Sequence, residues 1–290
     1  MDRRRLHQKQ TEYADRVLRL DRALMKRIGL IRNRTHLKID GYFLNCIPYD
    51  LSLKKCRVIS VLDSKEIEFF GEYRGSSHNL HLTVDNALFG REVSMFAKVK
   101  LQDLRQPNPE TSVCLIDLDL MTVPNDLAEI LVTLFEELDQ ARAIYDRAVA
   151  EETPRSLVDL FPAWPYRYGR IERGGETIAA AARIITIAPH RARFFADLPQ
   201  GPPETDAVVE VVFGDGDEQL FVKGKIAAVE DSAEVPQCVL ITLDCEFSAP
   251  FVERLSQAMR SATTGATSPA APGSQTTDAS GTGMEPLPNA

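Results

Sequence analysis

The second half of the chain repeats the first half at a nearly constant spacing. Four sequence anchors recur in the same order, each 125 or 126 residues after its first copy. They pair residues 57–61 with 183–187, 69–70 with 194–195, 96–101 with 221–226, and 115–119 with 240–244. One such match could arise by chance, but four in order indicate an internal duplication. The chain is therefore expected to fold as two copies of one module.

Each copy alternates short apolar runs with turn residues. In the first copy the strand-like runs are 36–39, 57–61, 67–70, 79–84, 94–101 and 113–120. A helical pattern closes each copy, at 125–148 and at 250–260. Many short strands favour a small closed barrel, because closure removes exposed sheet edges. The predicted fold class is mainly β with flanking helices: tandem small antiparallel β-barrels, each followed by an α-helix.

The two ends of the chain differ from the modules between them. Near the N-terminus, Tyr13, Val17, Leu20, Leu24 and Ile28 recur at helical spacing with arginines between them. This pattern predicts one basic amphipathic helix within residues 1–32, ending at Gly29 and packing its apolar stripe on protein. The expected domains that follow are 33–150, a barrel plus helix, and 151–262, the second barrel plus helix. Residues 263–290 are rich in Ser, Thr, Gly, Ala and Pro, which predicts a disordered tail.

Charge is distributed unevenly along the chain. The net charge is −8, but residues 1–38 hold twelve Lys or Arg against four Asp or Glu. This basic arm indicates either an anionic partner or a helix face that complements the acidic body. The acidic remainder disfavours an extended nucleic-acid site. No apolar run approaches the roughly 20 residues of a transmembrane helix, and no secretory signal follows the N-terminus, so a cytoplasmic location is expected.

The sequence offers no catalytic or metal-binding pattern. The five cysteines are odd in number and form no CxxC pair, so we expect small buried hydrophobic side chains without a metal or disulfide. No nucleophile elbow, phosphate-binding glycine loop or zinc-protease helix occurs. Asp215-Gly216-Asp217 is interpreted as a hairpin turn. We therefore predict that the chain is not an enzyme and needs no cofactor.

One cluster combines aromatic and basic residues. It consists of Trp164, Tyr166, Arg167, Tyr168, Arg170 and Arg173. Such a cluster could stack a nucleobase, or it could pack its aromatic rings on the second barrel. Both interpretations remain open from the sequence.

Several segments of the first half resemble a known family. They are Gly29-Leu30, Leu37-Lys38, 46–52, 56–59, Phe69-Phe70 and 124–131. Over about residues 12–148 the chain resembles the N-terminal domain of spirochaete-type PilZ-domain proteins. Residues 155–260 resemble a second, degenerate PilZ barrel through their strand pattern and Lys223-Gly224-Lys225-Ile226. The resemblance implies a cytoplasmic receptor or adaptor in cyclic di-GMP-linked motility or surface signalling.

The ligand motifs of that family are altered in this sequence. Typical PilZ domains carry RxxxR, whose arginines bind phosphate and stack on guanine, and (D/N)xSxxG, which binds base edges. Here Arg142 and Arg147 have four residues between them, so they diverge on a helix, and neither 183–190 nor 58–70 contains the second motif. The candidate ligand residues are Arg142, Arg147, Arg183 and Arg191.

These departures give an ordered set of hypotheses. We expect cyclic di-GMP to bind weakly or not at all, and the barrels to act mainly on a protein partner. The first alternative is a genuine cyclic di-GMP receptor that uses non-standard arginines. The second is a nucleic-acid or membrane-surface binder that acts through the basic arm.

Overall fold

Two compact units make up the chain. The computed structural model describes residues 2–86, 88–151, 155–156, 160, 164–198, 201, 203–214, 219–232 and 238–265. One unit consists of Met1–Glu152 with Phe247–Val252, and the other of Thr153–Glu246 with Glu253–Ala290. Most of the predicted tail, from residue 266 onward, lies outside the described residues, as does the turn at 215–217.

Five α-helices and fifteen β-strands are described. The helices are α1 Arg3–Glu12, α2 Arg22–Ile28, α3 Ser64–Gly71, α4 Asn125–Glu151 and α5 Ala249–Gly265. The strands of the first unit are β1 Val17–Arg19, β2 His36–Ile39, β3 Tyr42–Asn45, β4 Ile47–Ser52, β5 Lys55–Val61, β6 Ser77–Asn86, β7 Arg91–Arg105 and β8 Val113–Leu120. Those of the second unit are β9 Arg155–Ser156, β10 Tyr168–Arg173, β11 Glu176–Ile187, β12 Arg191–Ala196, β13 Val208–Phe213, β14 Leu220–Asp231 and β15 Val239–Cys245.

The first unit curls its antiparallel sheet into a ring. The strand order is β1-β4-β5-β8-β7-β6-β2-β3. Only Cys46 separates β3 from β4, so these two strands act as one bent strand that pairs with β2 at one end and β5 at the other. The bend is held where Cys46 N donates to Thr35 O at 3.2 Å and Ser60 Oγ donates to Asn45 O at 2.8 Å. The ends of the sheet thereby meet.

The second unit is a closed barrel of six strands. Its order is β10-β13-β14-β15-β12-β11, and β10 also pairs with β11. If β3 and β4 count as one strand, both units place their six consecutive strands in the same ring order. The predicted fold class, two small antiparallel barrels with flanking helices, is confirmed.

Two of the four sequence anchors keep the same ladder register in both units. Lys100 lies opposite Asp119 between β7 and β8, and Lys225 lies opposite Asp244 between β14 and β15. Both ladders then shift register at the same point, after Leu101 in the first unit and after its counterpart in the second. A bulge at the same position supports a common origin for these strand pairs.

The other two anchors were matched wrongly. Residues 57–61 lie on β5, beside β8, whereas 183–187 lie on β11, which is not adjacent to β15. The topological counterpart of β5 is β12. Phe69 and Phe70, expected on a strand, lie on α3, because Asp63 and Glu66 form a capping box that starts a helix there.

The N-terminal segment is also not the single helix that its spacing predicted. It forms α1, then the short strand β1 with Leu18 opposite Leu51 of β4, then α2. Asp21 caps α2 by accepting a hydrogen bond from Leu24 N at 2.8 Å. Because the middle of the segment is extended, Val17 points outward and is 60% exposed, while Leu20 and Ile28 are buried as expected.

The helix stop at Gly29 is confirmed. Gly29 has a φ of +75°, and a Cβ there would lie 1.8 Å from the carbonyl oxygen of Asp85 on β6. The helix predicted at 125–148 is present as α4, and its apolar residues Leu127, Ile130, Leu131, Leu134 and Ala141 are buried. Four of the five cysteines are buried: Cys46, Cys56, Cys114 and Cys245.

Candidate functional site

A groove of about 470 Å³ opens on the outer face of the first unit. It runs across four neighbouring strands of the ring and the short outer strand β1. Its lining consists of Val17, Asp50, Ser52, Lys55, Cys56, Arg57, Gln102, Asp103, Asp117, Leu118 and Asp119. Alternation along β5 and β8 buries every second residue and turns the charged residues toward this groove.

Arg57 lies between two carboxylates in this groove. Its Nε donates to Asp117 Oδ1 at 2.5 Å, and its NH1 group donates to Asp50 Oδ2 at 3.0 Å. The hydrogen bond that Arg57 donates to Asp117 raises the pKa of the guanidinium. Arg105 adds a longer contact to Asp117 at 3.7 Å. The guanidinium is thus already bound by carboxylates of its own unit.

The charge of the groove is negative. Four carboxylates line it, from Asp50, Asp103, Asp117 and Asp119, against the cations Lys55 and Arg57. A ligand with two phosphates would meet this excess of like charge, which disfavours its binding. The groove is better suited to groups that donate hydrogen bonds or carry positive charge.

Sequence reasoning missed one family motif in this groove. Asp50-Leu51-Ser52 matches the start of (D/N)xSxxG, and Lys55 stands where the family has glycine. Ser52 Oγ accepts from Lys55 N at 2.8 Å and donates to Lys55 O at 3.0 Å, so the serine holds the β4–β5 turn. The signal was present in the sequence but was sought at 58–70, one strand too late.

The two candidate arginines of α4 do not form a clamp. Arg142 Nε pairs with Asp146 Oδ1 at 3.0 Å, and its guanidinium lies over the rings of Tyr145 at 5.4 Å and Phe247 at 5.2 Å. Arg147 is exposed on the same helix. Five residues of helix turn the two side chains roughly 140° apart, so they point in different directions.

The two candidate arginines of the second unit are also separated. Arg183 lies on β11 opposite Phe195, four residues along β12 from Arg191. Four residues of strand span about 13 Å. Arg191 Nε donates to Asp244 Oδ1 at 2.8 Å. Arg191 and Lys225 thus both lie opposite Asp244 on neighbouring strands, as Lys55 and Lys100 lie opposite Asp119 in the first unit.

The aromatic–basic cluster packs largely on the second barrel. Trp164 is fully buried, with its ring centroid 5.4 Å from that of Tyr166 and 5.9 Å from that of Phe213 on β13. Beside it, a groove of about 430 Å³ is lined by Pro165, Tyr166, Arg167, Tyr168, Gly169, Arg170, Ala180, Val212 and Gly214. Arg170 Nε pairs with Glu172 Oε1 at 2.5 Å. Of the two interpretations, packing explains Trp164, while Arg167 and Tyr168 still face a groove.

The basic arm pairs with acidic residues of α4. Arg5 and Lys9 lie 3.2 and 3.5 Å from Glu136 Oε1, and Arg16 lies 2.6 Å from Asp139 Oδ1. Arg27 NH2 lies 2.7 Å from Glu137 Oε2. Leu6 and Tyr13 are buried beneath these pairs. The arm therefore complements the acidic helix of its own unit, which is the second of the two interpretations of its charge.

Residues 4–137 match the family model of the PilZN3 domain. This part of the chain is a PilZN3 domain. The match covers the N-terminal segment, the whole strand ring and more than one turn of α4, so it confirms the resemblance to spirochaete-type PilZ proteins. No protein of curated function matches the sequence.

Several solved structures are similar to this chain at low sequence identity. The Borreliella burgdorferi PlzA protein in complex with c-di-GMP is 12% identical, with a TM-score of 0.40 over 88% of this chain and 98% of that one. Apo MrkH of K. pneumonia is 7% identical, with a TM-score of 0.30 over 81% and 87%. The Bacillus subtilis inhibitor of motility is 6% identical, with a TM-score of 0.29 over 81% and 98%. At these values the likeness carries no conclusion about ligands.

Two further observations concern only the described part of the PilZN3 protein. No helix there is both long enough and apolar enough to cross a membrane. No cluster of three or more His, Cys, Asp or Glu side chains there could hold a metal ion.

Proposed function

We propose that this PilZN3 protein is a non-enzymatic regulatory adaptor in cyclic di-GMP-linked signalling, and that its barrels act mainly by contacting a protein partner. The observation that carries the proposal is the pairing of its arginines. Arg57, Arg142 and Arg191 each contact a carboxylate of their own unit at 3.0 Å or less. The arginines are thereby used to organise the protein surface.

A cyclic dinucleotide needs donors that converge on its two phosphates. Each hydrogen bond to a charged group contributes about 1.5–3 kcal/mol, and affinity changes tenfold for every ~1.4 kcal/mol. An arginine already paired with an aspartate must break that pair before it can bind phosphate. The ligand would also lie near the freed carboxylate. Weak or absent binding of cyclic di-GMP follows from this competition.

The setting of the proposal comes from the family and its structural neighbours. PlzA and MrkH have been solved with c-di-GMP, and the Bacillus subtilis neighbour is named an inhibitor of motility. These names make cyclic di-GMP the first ligand to test and motility or surface attachment the first pathway to examine. For this chain, both remain part of the proposal.

A genuine cyclic di-GMP receptor is the second candidate function. The groove of about 430 Å³ in the second unit supports it, because Arg167, Tyr168 and Arg170 line it together. A tyrosine ring can stack on a guanine, and a guanidinium can bind a phosphate. Gly169 leaves little room for a side chain at this position, since a Cβ there would lie 2.8 Å from Val211 Cγ1.

A thermal-shift screen of the full chain against cyclic dinucleotides separates the two functions. A ligand at 100 times its Kd adds about 2.7 kcal/mol to the free energy of unfolding, which is easily seen as a higher Tm. At about 100 μM cyclic di-GMP, the adaptor function predicts either no shift or a shift smaller than that expected for a Kd of about 10 μM. A shift that disappears in Arg167→Ala but persists in Arg147→Ala would favour the receptor function.

A further inference from the structure

A ladder of aromatic and imidazole rings crosses the outer face of the first unit. His36 on β2 lies directly opposite His81 on β6, and His81 lies directly opposite Phe96 on β7. Phe43 on β3 extends the ladder, with its ring centroid 5.2 Å from that of His36. Phe43 and Phe96 are 64% and 65% exposed. The two histidines therefore lie between exposed rings, while their neighbours Leu37 and Leu80 are buried in the core.

The two imidazoles approach each other through the same ring nitrogen. Nδ1 of His36 and Nδ1 of His81 are 3.4 Å apart, and their ring centroids are 4.6 Å apart at an interplanar angle of 58°. That separation is long for a hydrogen bond, which typically spans about 2.7–3.2 Å. Two nitrogens bound to one zinc ion at about 2.0–2.1 Å with a tetrahedral angle lie about 3.3–3.4 Å apart. The observed separation therefore matches the bite of a metal chelate.

The surrounding rings hold the two imidazoles in this arrangement. His81 stacks on Phe96 at 4.5 Å with an interplanar angle of 21°, and His36 meets the edge of Phe43. Both histidines are carried by paired strands, which fix their separation better than a loop would.

We propose that His36 and His81 form a surface chelate for a divalent transition metal ion. Two imidazoles supply two ligands, and no third His, Cys, Asp or Glu joins them among the described residues. Water completes the coordination, so the site is open and exchangeable. Imidazole ligands suit copper, nickel and zinc, and the general order of affinity places Cu²⁺ first. The site is independent of the proposed adaptor function.

Calorimetric titration of the full, untagged chain with Cu²⁺ and with Zn²⁺ tests the site. We expect one equivalent of Cu²⁺ to bind more tightly than Zn²⁺. His36→Gln and His81→Gln should each weaken binding at least about tenfold, since even the loss of a hydrogen-bond partner behind a ligand costs that much. The double variant should bind the metal ion at most about threefold more weakly than either single variant, because one ligand alone forms no chelate.

The matched control is His7→Gln, which removes an exposed histidine from α1. It should leave the titration unchanged. A second measurement avoids any variant that fails to fold: Cu²⁺ should broaden the imidazole NMR signals of His36 and His81 in the unmodified chain before those of the other histidines. Equal weakening by His7→Gln, unchanged binding in both pair variants, or broadening that begins at other histidines would overturn the proposal.

Discussion

At the scale of single residues, carboxylates decide what the arginines can do. Arg57 is held between Asp50 and Asp117, and Arg191 is held by Asp244. The sequence shows the arginines, but it cannot show which aspartate lies across the strand from each, since register is a property of the folded sheet. That is why candidate ligand residues chosen by spacing alone fall at separate places.

Arg57→Ala should destabilise the protein by about 1–2 kcal/mol, because it leaves Asp50 and Asp117 close together without a cation. The guanidinium is 32% exposed, so solvent screening keeps the cost below that of a fully buried pair. Urea denaturation followed by circular dichroism measures the change. Arg147→Ala, at an exposed position of α4, is the control and should change stability by less than about 0.5 kcal/mol. Equal effects would contradict the role assigned to Arg57.

Gly29→Ala should cost about 3 kcal/mol or more. The residue has a positive φ, and its new Cβ would meet the carbonyl oxygen of Asp85 at 1.8 Å. Gly75→Ala provides the control, since Gly75 has a similar φ of +79° with nothing within 4 Å of its Cβ position. Its cost should stay near 1 kcal/mol. A similar loss in both variants would show that φ alone, and not the close approach, determines the requirement for glycine.

At the scale of elements, the main errors in the sequence-based prediction of secondary structure concern helices that adjoin strands. Strand spans with clear alternation were predicted to within a few residues, as for β2 and β8, which match the expected bounds. The run 67–70 looked like a strand because Ile67, Phe69 and Phe70 are apolar, yet a capping box starts α3 three residues earlier. The prediction of a single N-terminal helix is wrong because its middle part pairs as strand β1 with β4, although its apolar residues recur at helical spacing.

The pairing of α1 with α4 predicts a salt-sensitive arm. Glu136→Gln removes the carboxylate shared by Arg5 and Lys9. We expect amide hydrogens of α1 to exchange about two- to fivefold faster in this variant, and in the unmodified chain at high salt, because exposed ion pairs contribute up to about 1 kcal/mol and are screened. Asp146→Asn, which removes a carboxylate that pairs with Arg142 within α4, is the comparison. Exchange in α1 that ignores both salt and Glu136→Gln would mean that Leu6 and Tyr13 alone hold the arm.

At the scale of the whole molecule, two barrels share one ring order, but only some of their strands keep a common sequence register. The β7–β8 and β14–β15 ladders keep the register that the sequence repeat indicated. The first barrel contains α3 and the bent strand formed by β3 and β4, and its early strands do not align with those of the second at the constant offset. The constant sequence offset therefore predicted the two-barrel architecture, but only two of its four matched anchors correspond in the structure. The charge balance of the grooves could not be predicted from the sequence and became visible only in the structure.

Buried thiols should make the stability of the chain fall at high pH. Burial raises the pKa of the Cys46 and Cys245 thiols from 9.0 to about 12. The folded state then holds these protons more tightly than the unfolded state, so the resulting stability is complete below about pH 9 and is lost between pH 9 and 12. Denaturation midpoints measured from neutral pH to about pH 10.5 should decline. The decline should be shallower in a Cys46→Ala, Cys245→Ala double variant, and an unchanged slope would contradict the assignment.

The central claim is that carboxylate-paired arginines leave this PilZN3 protein a poor receptor for cyclic di-GMP. Isothermal titration of the full chain with cyclic di-GMP tests this most directly. The account predicts either no saturable heat or a Kd weaker than about 10 μM. A saturable Kd below about 10 μM would contradict it, whichever of Arg142→Ala, Arg147→Ala, Arg167→Ala, Arg183→Ala or Arg191→Ala abolishes the binding.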